Sequence, residues 1–176
     1  MATFDFASLI VDIPDYPEPG VVFKDITPLF ADAEGLRALT RAIADRFRGA
    51  GITKVVGPEA RGFMTGTPVA YELGAGFVPA RKPDKLPRET FSVSYELEYG
   101  SDALEVHRDA IAPGDRVLIV DDLVATGGTA AATGKLIAEL GAELVGCACI
   151  LELAFLNPRT ALTEAGCDLF SLVQVG

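Results

Sequence analysis

Residues 116–140 constrain the fold more than any other part of the chain. Val117-Leu118-Ile119-Val120 is continuously apolar and rich in β-branched residues, so it predicts a strand buried on both faces. Two acids follow, Asp121 and Asp122, then a small-residue turn, Ala125-Thr126-Gly127-Gly128-Thr129, then helical periodicity over 127–140. A fully buried strand feeding a helix is a βα unit, and its natural setting is a parallel sheet with helices packed on it. The rest of the chain repeats the theme. Leu36, Leu39, Ile43 and Phe47 recur at helical spacing up to Gly49-Ala50-Gly51. Strands are predicted at 54–56, 76–79, 144–151 and 169–175, and a helix at 62–73 despite Gly66 and Pro68. The pattern is that of an α/β protein with a mostly parallel sheet.

At 176 residues, without linker, repeat or low-complexity tract, the chain reads as one domain, 1–176. Prolines 14, 17, 19 and 28 with Gly20 predict a largely irregular stretch from 14 to 28. Residues 82–100 lack helical periodicity and read as a long functional loop or hairpin. Lys and Arg number 15 against 25 Asp and Glu, a net charge of −10 that disfavours coating nucleic acid. No apolar run approaches the roughly 20 residues of a membrane span, and the start of the chain lacks the basic signature of a signal peptide. Three cysteines make no disulfide framework, so a reducing cytoplasm is expected, and one histidine without a CxxC pair leaves little for structural zinc.

The chemistry concentrates after the strand at 116–120. Ligands of open parallel sheets bind beyond the carboxyl ends of strands, where this turn falls. Gly127 and Gly128 let backbone approach a ligand, the free N–H groups of a helix start favour a phosphate, and Thr126 and Thr129 add hydroxyls. Asp121 and Asp122 suit vicinal sugar hydroxyls. The plainer alternative is that these residues only cap a helix. Common nucleotide loops do not fit: Gly128 and Gly134 are one residue too far apart for a Walker A loop, and Pro79 stands where a dinucleotide fingerprint needs its third glycine.

The segment 117–129 resembles the phosphoribosyl-pyrophosphate motif of type I phosphoribosyltransferases, and nearly the whole chain resembles their adenine-using branch. Three further blocks carry the likeness in the family's order. They are Pro19-Gly20-Val21-Val22-Phe23-Lys24-Asp25-Ile26, with Lys24 where Arg is usual; Gly57-Pro58-Glu59-Ala60-Arg61-Gly62-Phe63; and the pair Arg81-Lys82-Pro83-Asp84-Lys85-Leu86-Pro87 and Tyr95-Glu96-Leu97-Glu98-Tyr99-Gly100. The resemblance implies an open, mostly parallel twisted sheet flanked by helices, with a small N-terminal base-binding hood at about 1–30 and a flexible catalytic loop at about 82–100.

It also implies an activity: adenine and phosphoribosyl pyrophosphate give AMP and pyrophosphate in purine salvage. Mg²⁺ would be carried mainly by pyrophosphate and ribose oxygens, with no protein metal cage. By this likeness Ala125, Thr126, Gly127, Gly128 and Thr129 cradle the 5′-phosphate, and Asp121 and Asp122 take the ribose hydroxyls. Glu59, Ala60, Arg61, Arg81, Lys82 and Lys85 meet pyrophosphate, while the role of Arg88 stays open. The Glu59–Ala60 peptide is implied to be strained, with a non-proline cis form to be looked for. Phe23 would stack on the purine and the backbone of Val22 and Lys24 read its edge, against the plainer reading that these residues pack a loop onto the core. Glu98 would assist as acid or base at adenine, Tyr99 would help close the loop, and Arg61 would act at the reacting centre.

A homodimer is implied, with 81–82 near the partner's site; nucleic acid and membrane are not implied partners. The competing readings are a transferase for 6-oxopurines and a phosphoribosyl-pyrophosphate sensor; the sensor would call for a basic face this chain lacks. Cys147 and Cys149 read as core residues, Cys167 as partly exposed, and His107 as a surface or hairpin residue.

Overall fold

The computed structural model describes residues 4–96 and 101–176. A 3₁₀ turn at Phe6–Leu9 leads into an antiparallel ribbon of β1 (Val11–Pro14) and β2 (Val22–Asp25). Two helices follow, α1 (Thr27–Ala31) and α2 (Ala33–Phe47). The stretch 14–28 is therefore more ordered than its prolines suggest. Pro14 ends a strand of a two-stranded ribbon and Pro28 lies in the first turn of α1, and at both places a missing N–H costs little. Asp32 caps α2, its carboxylate accepting the Gly35 N–H at 2.6 Å.

The central unit comprises β3 (Lys54–Pro58), α3 (Gly62–Leu73) and β4 (Gly76–Ala80). An antiparallel hairpin, β5 (Thr90–Glu96) and β6 (Ser101–His107), separates it from β7 (Arg116–Val124). Then come α4 (Gly128–Glu139), β8 (Glu143–Leu153), α5 (Pro158–Glu164) and β9 (Leu169–Val175). Five strands form one parallel sheet in the order β4-β3-β7-β8-β9.

Alternation along each strand explains the apolar runs. Val56, Val117, Ile119, Cys147 and Cys149 pack with Leu136 and Ile137 of α4 and Leu162 of α5. Their neighbours Val55, Leu118, Val120 and Ala148 pack with Ile43 and Phe47 of α2 and Val69 and Ala70 of α3. Both faces of the sheet are thus covered, and each buried aliphatic side chain contributes about 1.5–3 kcal/mol. Two elements depart from expectation. β7 runs on to Val124, so Asp121 and Asp122 belong to the strand, because β8 continues to pair with it as far as Val124 opposite Glu152. α5 has seven residues, of which only Pro158 and Leu162 are buried, too few to print a period on the sequence.

Candidate active site

β3 and β7 are neighbours whose chains leave the sheet in opposite directions, β3 toward β4 and β7 toward β8. Beyond their carboxyl ends the connections diverge and leave a crevice, the place where open α/β sheets bind ligands. A cleft of about 460 Å³ lies there, walled by Glu59, Ala60 and Arg61 after β3 and by residues 121–130 from β7 to the start of α4.

The two walls are tied together. Arg61 donates from Nε to Asp122 Oδ2 at 2.5 Å, joining residues 61 positions apart, with Asp122 buried and Arg61 half exposed. Asp121 accepts the Asp122 N–H on Oδ1 at 2.8 Å. Burial, and then the Asp122 charge beside it, push the Asp121 carboxyl well above the usual carboxylate range. Gly62 permits this approach: a Cβ there would lie 2.9 Å from Pro58 Cδ and 3.0 Å from Asp121 Oδ1. The result is a pair of adjacent carboxylates at the cleft, poised to accept hydrogen bonds or meet positive charge.

The floor of the cleft is a helix start without a side-chain cap. Gly127 adopts φ +86° at the N-cap of α4, a conformation open to glycine, and turns the chain sharply from β7. The first helical bond is Ala131 N–H to Gly127 O, so the N–H groups of Gly128, Thr129 and Ala130 have no intrahelical acceptor. Gly128 N–H has only a 3.5 Å contact to Thr126 Oγ1. Free N–H groups, the positive end of a 12-residue helix and two threonines together make an anion seat.

Positive charge stands one layer out, held by Glu59. Its carboxylate takes a two-pronged contact from Arg81, 3.1 Å from Nε and 3.2 Å from Nη2, and the Lys82 N–H at 3.0 Å. The Arg81 guanidinium keeps the Glu59 carboxyl below its ordinary value. Arg81 also exchanges backbone hydrogen bonds with Glu105, pinning the β5–β6 hairpin to the end of β4. Lys82 Nζ meets Asp102 Oδ2 at 3.0 Å, and Lys85 gives its carbonyl to Arg81 Nη1. Arg88 instead pairs with Asp109 at the base of the hairpin, apart from the cleft. The Glu59–Ala60 peptide is cis.

Comparison with known proteins bears on the family and the fold. The phosphoribosyl transferase domain model matches residues 27–167. The adenine phosphoribosyltransferase of Sodalis glossinidius is 57% identical over 164 residues, covering 93% of this chain and 90% of its own. This chain belongs to the adenine phosphoribosyltransferase family. The fold agrees: the crystal structure of the Rhodothermus marinus adenine phosphoribosyltransferase superposes with a TM-score of 0.91 at 50% identity, covering 97% of this chain and 96% of that one. The Saccharomyces cerevisiae adenine phosphoribosyltransferase, solved with an imino-altritol bisphosphate and adenine, gives 0.89 at 40% identity and 96% coverage of both chains.

For a member of the adenine phosphoribosyltransferase family, several expected residues stand away from this cleft. Val22, Phe23 and Lys24 lie on β2 of the N-terminal ribbon and do not line it. Phe23 meets the edge of Tyr16, ring centroids 5.3 Å apart, and Lys24 Nζ binds both Asp12 carboxylate oxygens at 2.7 Å. The Lys24 side chain is therefore engaged across the ribbon. Glu98 and Tyr99 lie outside the described residues. Cys147 and Cys149 are core residues as expected, but Cys167, expected partly exposed, is 4% exposed because it packs into the core beneath α5. His107 closes β6 of the hairpin, partly buried. Sequence reasoning overlooked Leu123, Val124 and Ala130 in the cleft wall, as well as α5 behind the turn. Only their position next to the motif could have signalled the first three.

Proposed function

We propose that this chain transfers the phosphoribosyl group of phosphoribosyl pyrophosphate to N9 of adenine, releasing pyrophosphate and AMP, as a step of purine salvage. The observation that carries this reading is an uncapped helix start beside two adjacent acids and a guanidinium in one cleft. The bond from ribose C1 to pyrophosphate breaks with its electron pair leaving on oxygen, and adenine N9 donates the pair that forms the new bond. Residues 125–129 hold the 5′-phosphate through backbone N–H groups and hydroxyls. Asp121 and Asp122 take the hydrogen bonds of the ribose hydroxyls, and negative charge on this acidic pair favours the positive character that develops on the ring. Arg61, Arg81, Lys82 and Lys85, with Glu59 and Ala60, receive pyrophosphate. Val22, Phe23 and Lys24 meet adenine, chiefly through backbone and ring stacking. Glu98 exchanges a proton at the base, and Tyr99 shields the site.

Among the described residues no group of three or more His, Cys, Asp or Glu side chains is placed to hold a metal ion. Mg²⁺ would therefore be carried mainly by pyrophosphate and ribose oxygens, with water completing its shell. When bound, the ion would neutralise charge on the leaving pyrophosphate. We further propose one functional domain over 1–176, with a base-binding hood at 1–30 and a closing loop at 82–100. A homodimer fits the exposed apolar side chains Met64 and Tyr71, seven residues apart on one side of α3, the latter 88% exposed. Three free cysteines fit a reducing compartment, the cytoplasm. No described helix is long and apolar enough to cross a membrane.

The test is pyrophosphate release from phosphoribosyl pyrophosphate and Mg²⁺ with each purine base, for the native chain, Glu98→Ala and Asp122→Ala. Release with adenine alone, cut at least tenfold in both variants, is the expected result. A preference for hypoxanthine or guanine would overturn the base assignment, and no release with any base would favour a sensor.

A further inference from the structure

Behind the phosphate-binding turn lies a buried carboxylate that the reaction does not use. Glu152, on β8, is 1% exposed and paired in register with Val124, the last residue of β7 before the turn. It gathers four donors: Arg159 Nε at 2.8 Å and Nη2 at 2.7 Å, Ser171 Oγ at 2.6 Å and Gln174 Nε2 at 3.0 Å. Burial raises its pKa, but these hydrogen bonds outweigh it and hold the carboxyl below its ordinary value. A buried carboxylate with this many donors is a rigid anchor.

One donor residue comes from a different element. Ser171 and Gln174 sit on β9, but Arg159 is the second residue of α5 and also donates from Nη1 to Leu169 O at 3.1 Å. It is the one α5 side chain, among the described residues, that hydrogen-bonds to the sheet. The neighbouring residue, Pro158, sets its carbonyl against Gly127: a Cβ on Gly127 would lie 2.8 Å from Pro158 O, 3.5 Å from Ala161 Cβ and 3.5 Å from Leu162 Cγ. The turn is thus wedged between the end of β7 and α5.

We propose that the Glu152–Arg159 pair is a positioning device for the phosphate site: by fastening the first turn of α5 to β8 and β9, it presses α5 against Gly127 and fixes the N–H groups that receive the 5′-phosphate. Glu152 and Arg159 touch no substrate. The part concerning phosphate rests on the function proposed above, whereas the wedge itself does not.

Two readouts on the full chain keep these apart: amide hydrogen exchange of residues 125–130 without ligand, and the Kd for ribose 5-phosphate. Arg159→Lys keeps a cation but loses the fork, and Ser171→Ala removes a Glu152 donor without touching α5. Arg159→Lys is expected to speed exchange in the turn at least fivefold and weaken ribose 5-phosphate about tenfold, with the KM for adenine unchanged; small displacements at a binding site cost this much. Ser171→Ala is expected to lower Tm while leaving both readouts unmoved. Unchanged exchange in Arg159→Lys, or equal effects of the two variants, overturns the proposal. Faster exchange in a chain whose native form binds no ribose 5-phosphate keeps the wedge and overturns the proposed phosphate site.

Discussion

Replacing Gly127 by alanine separates backbone strain from wedge packing, because Gly114 provides a matched control. Both glycines hold left-handed backbone, φ +86° and φ +94°. Around Gly114 an added Cβ would meet nothing within 4 Å, whereas at Gly127 it would lie 2.8 Å from the Pro158 carbonyl oxygen, closer than real Cβ contacts occur. Gly114→Ala should therefore cost the left-handed conformation alone, about 1–2 kcal/mol. Gly127→Ala should cost that plus an overpacking contribution of about 1–3 kcal/mol, since the blocking atom is backbone and cannot swing away. At about 2–4 °C per kcal/mol for a domain of this size, Gly127→Ala should melt roughly 2–12 °C below Gly114→Ala. The shift of α5 or the turn needed to relieve the contact also moves the N–H groups of the anion seat. The KM for phosphoribosyl pyrophosphate should then rise about tenfold in Gly127→Ala and stay level in Gly114→Ala. Calorimetry and initial-rate kinetics on the two variants decide the matter. Equal melting temperatures with equal KM values would refute the packing argument.

Two further outcomes follow from groups at and behind the site. Glu59 has a folded pKa below its ordinary value of 4.5, held there first by Arg81. Its contribution to stability is therefore complete above about pH 4.5 and lost as pH falls through the lower folded value. Urea unfolding should show native protein more stable than Glu59→Gln at about pH 7 and the gap closing toward about pH 3; a gap that persists in acid would mean the loss is one of packing. The three cysteines are all buried, and burial pushes the Cys149 thiol up, so an aromatic disulfide reagent should titrate no thiol rapidly in native protein and three in denaturant. Rapid reaction of one native thiol would contradict the packing of that cysteine.

Local pattern carried most of the elements and the heart of the cleft. The helix over 62–73 appears where its spacing predicts it, and the strands at 54–58 and 76–80 extend the expected ones by a residue or two. Burial is written locally, because a strand covered on both faces must be apolar at every residue, and a helix covered on one side must be apolar every third or fourth. The turn 125–129 and the pair Asp121-Asp122 were legible for the same reason: the residues that form that wall are contiguous, and the crevice position follows from a strand feeding a helix.

What joins distant segments was not legible from the residues. Arg61 meets Asp122 across 61 positions because β3 and β7 are neighbours while the hairpin between them is set outside the sheet. Glu59 meets Arg81 because β3 and β4 lie side by side and end at the same level. β7 carries its acids inside the strand because β8 runs on beside it, and α5 wedges Gly127 because Glu152 and Arg159 hold it there. Each of these depends on strand order and register, which arise from the simultaneous burial of all the apolar faces. The chain alone specifies which residues must be hidden and which can bind an anion; only the assembled sheet decides which charge each of them meets.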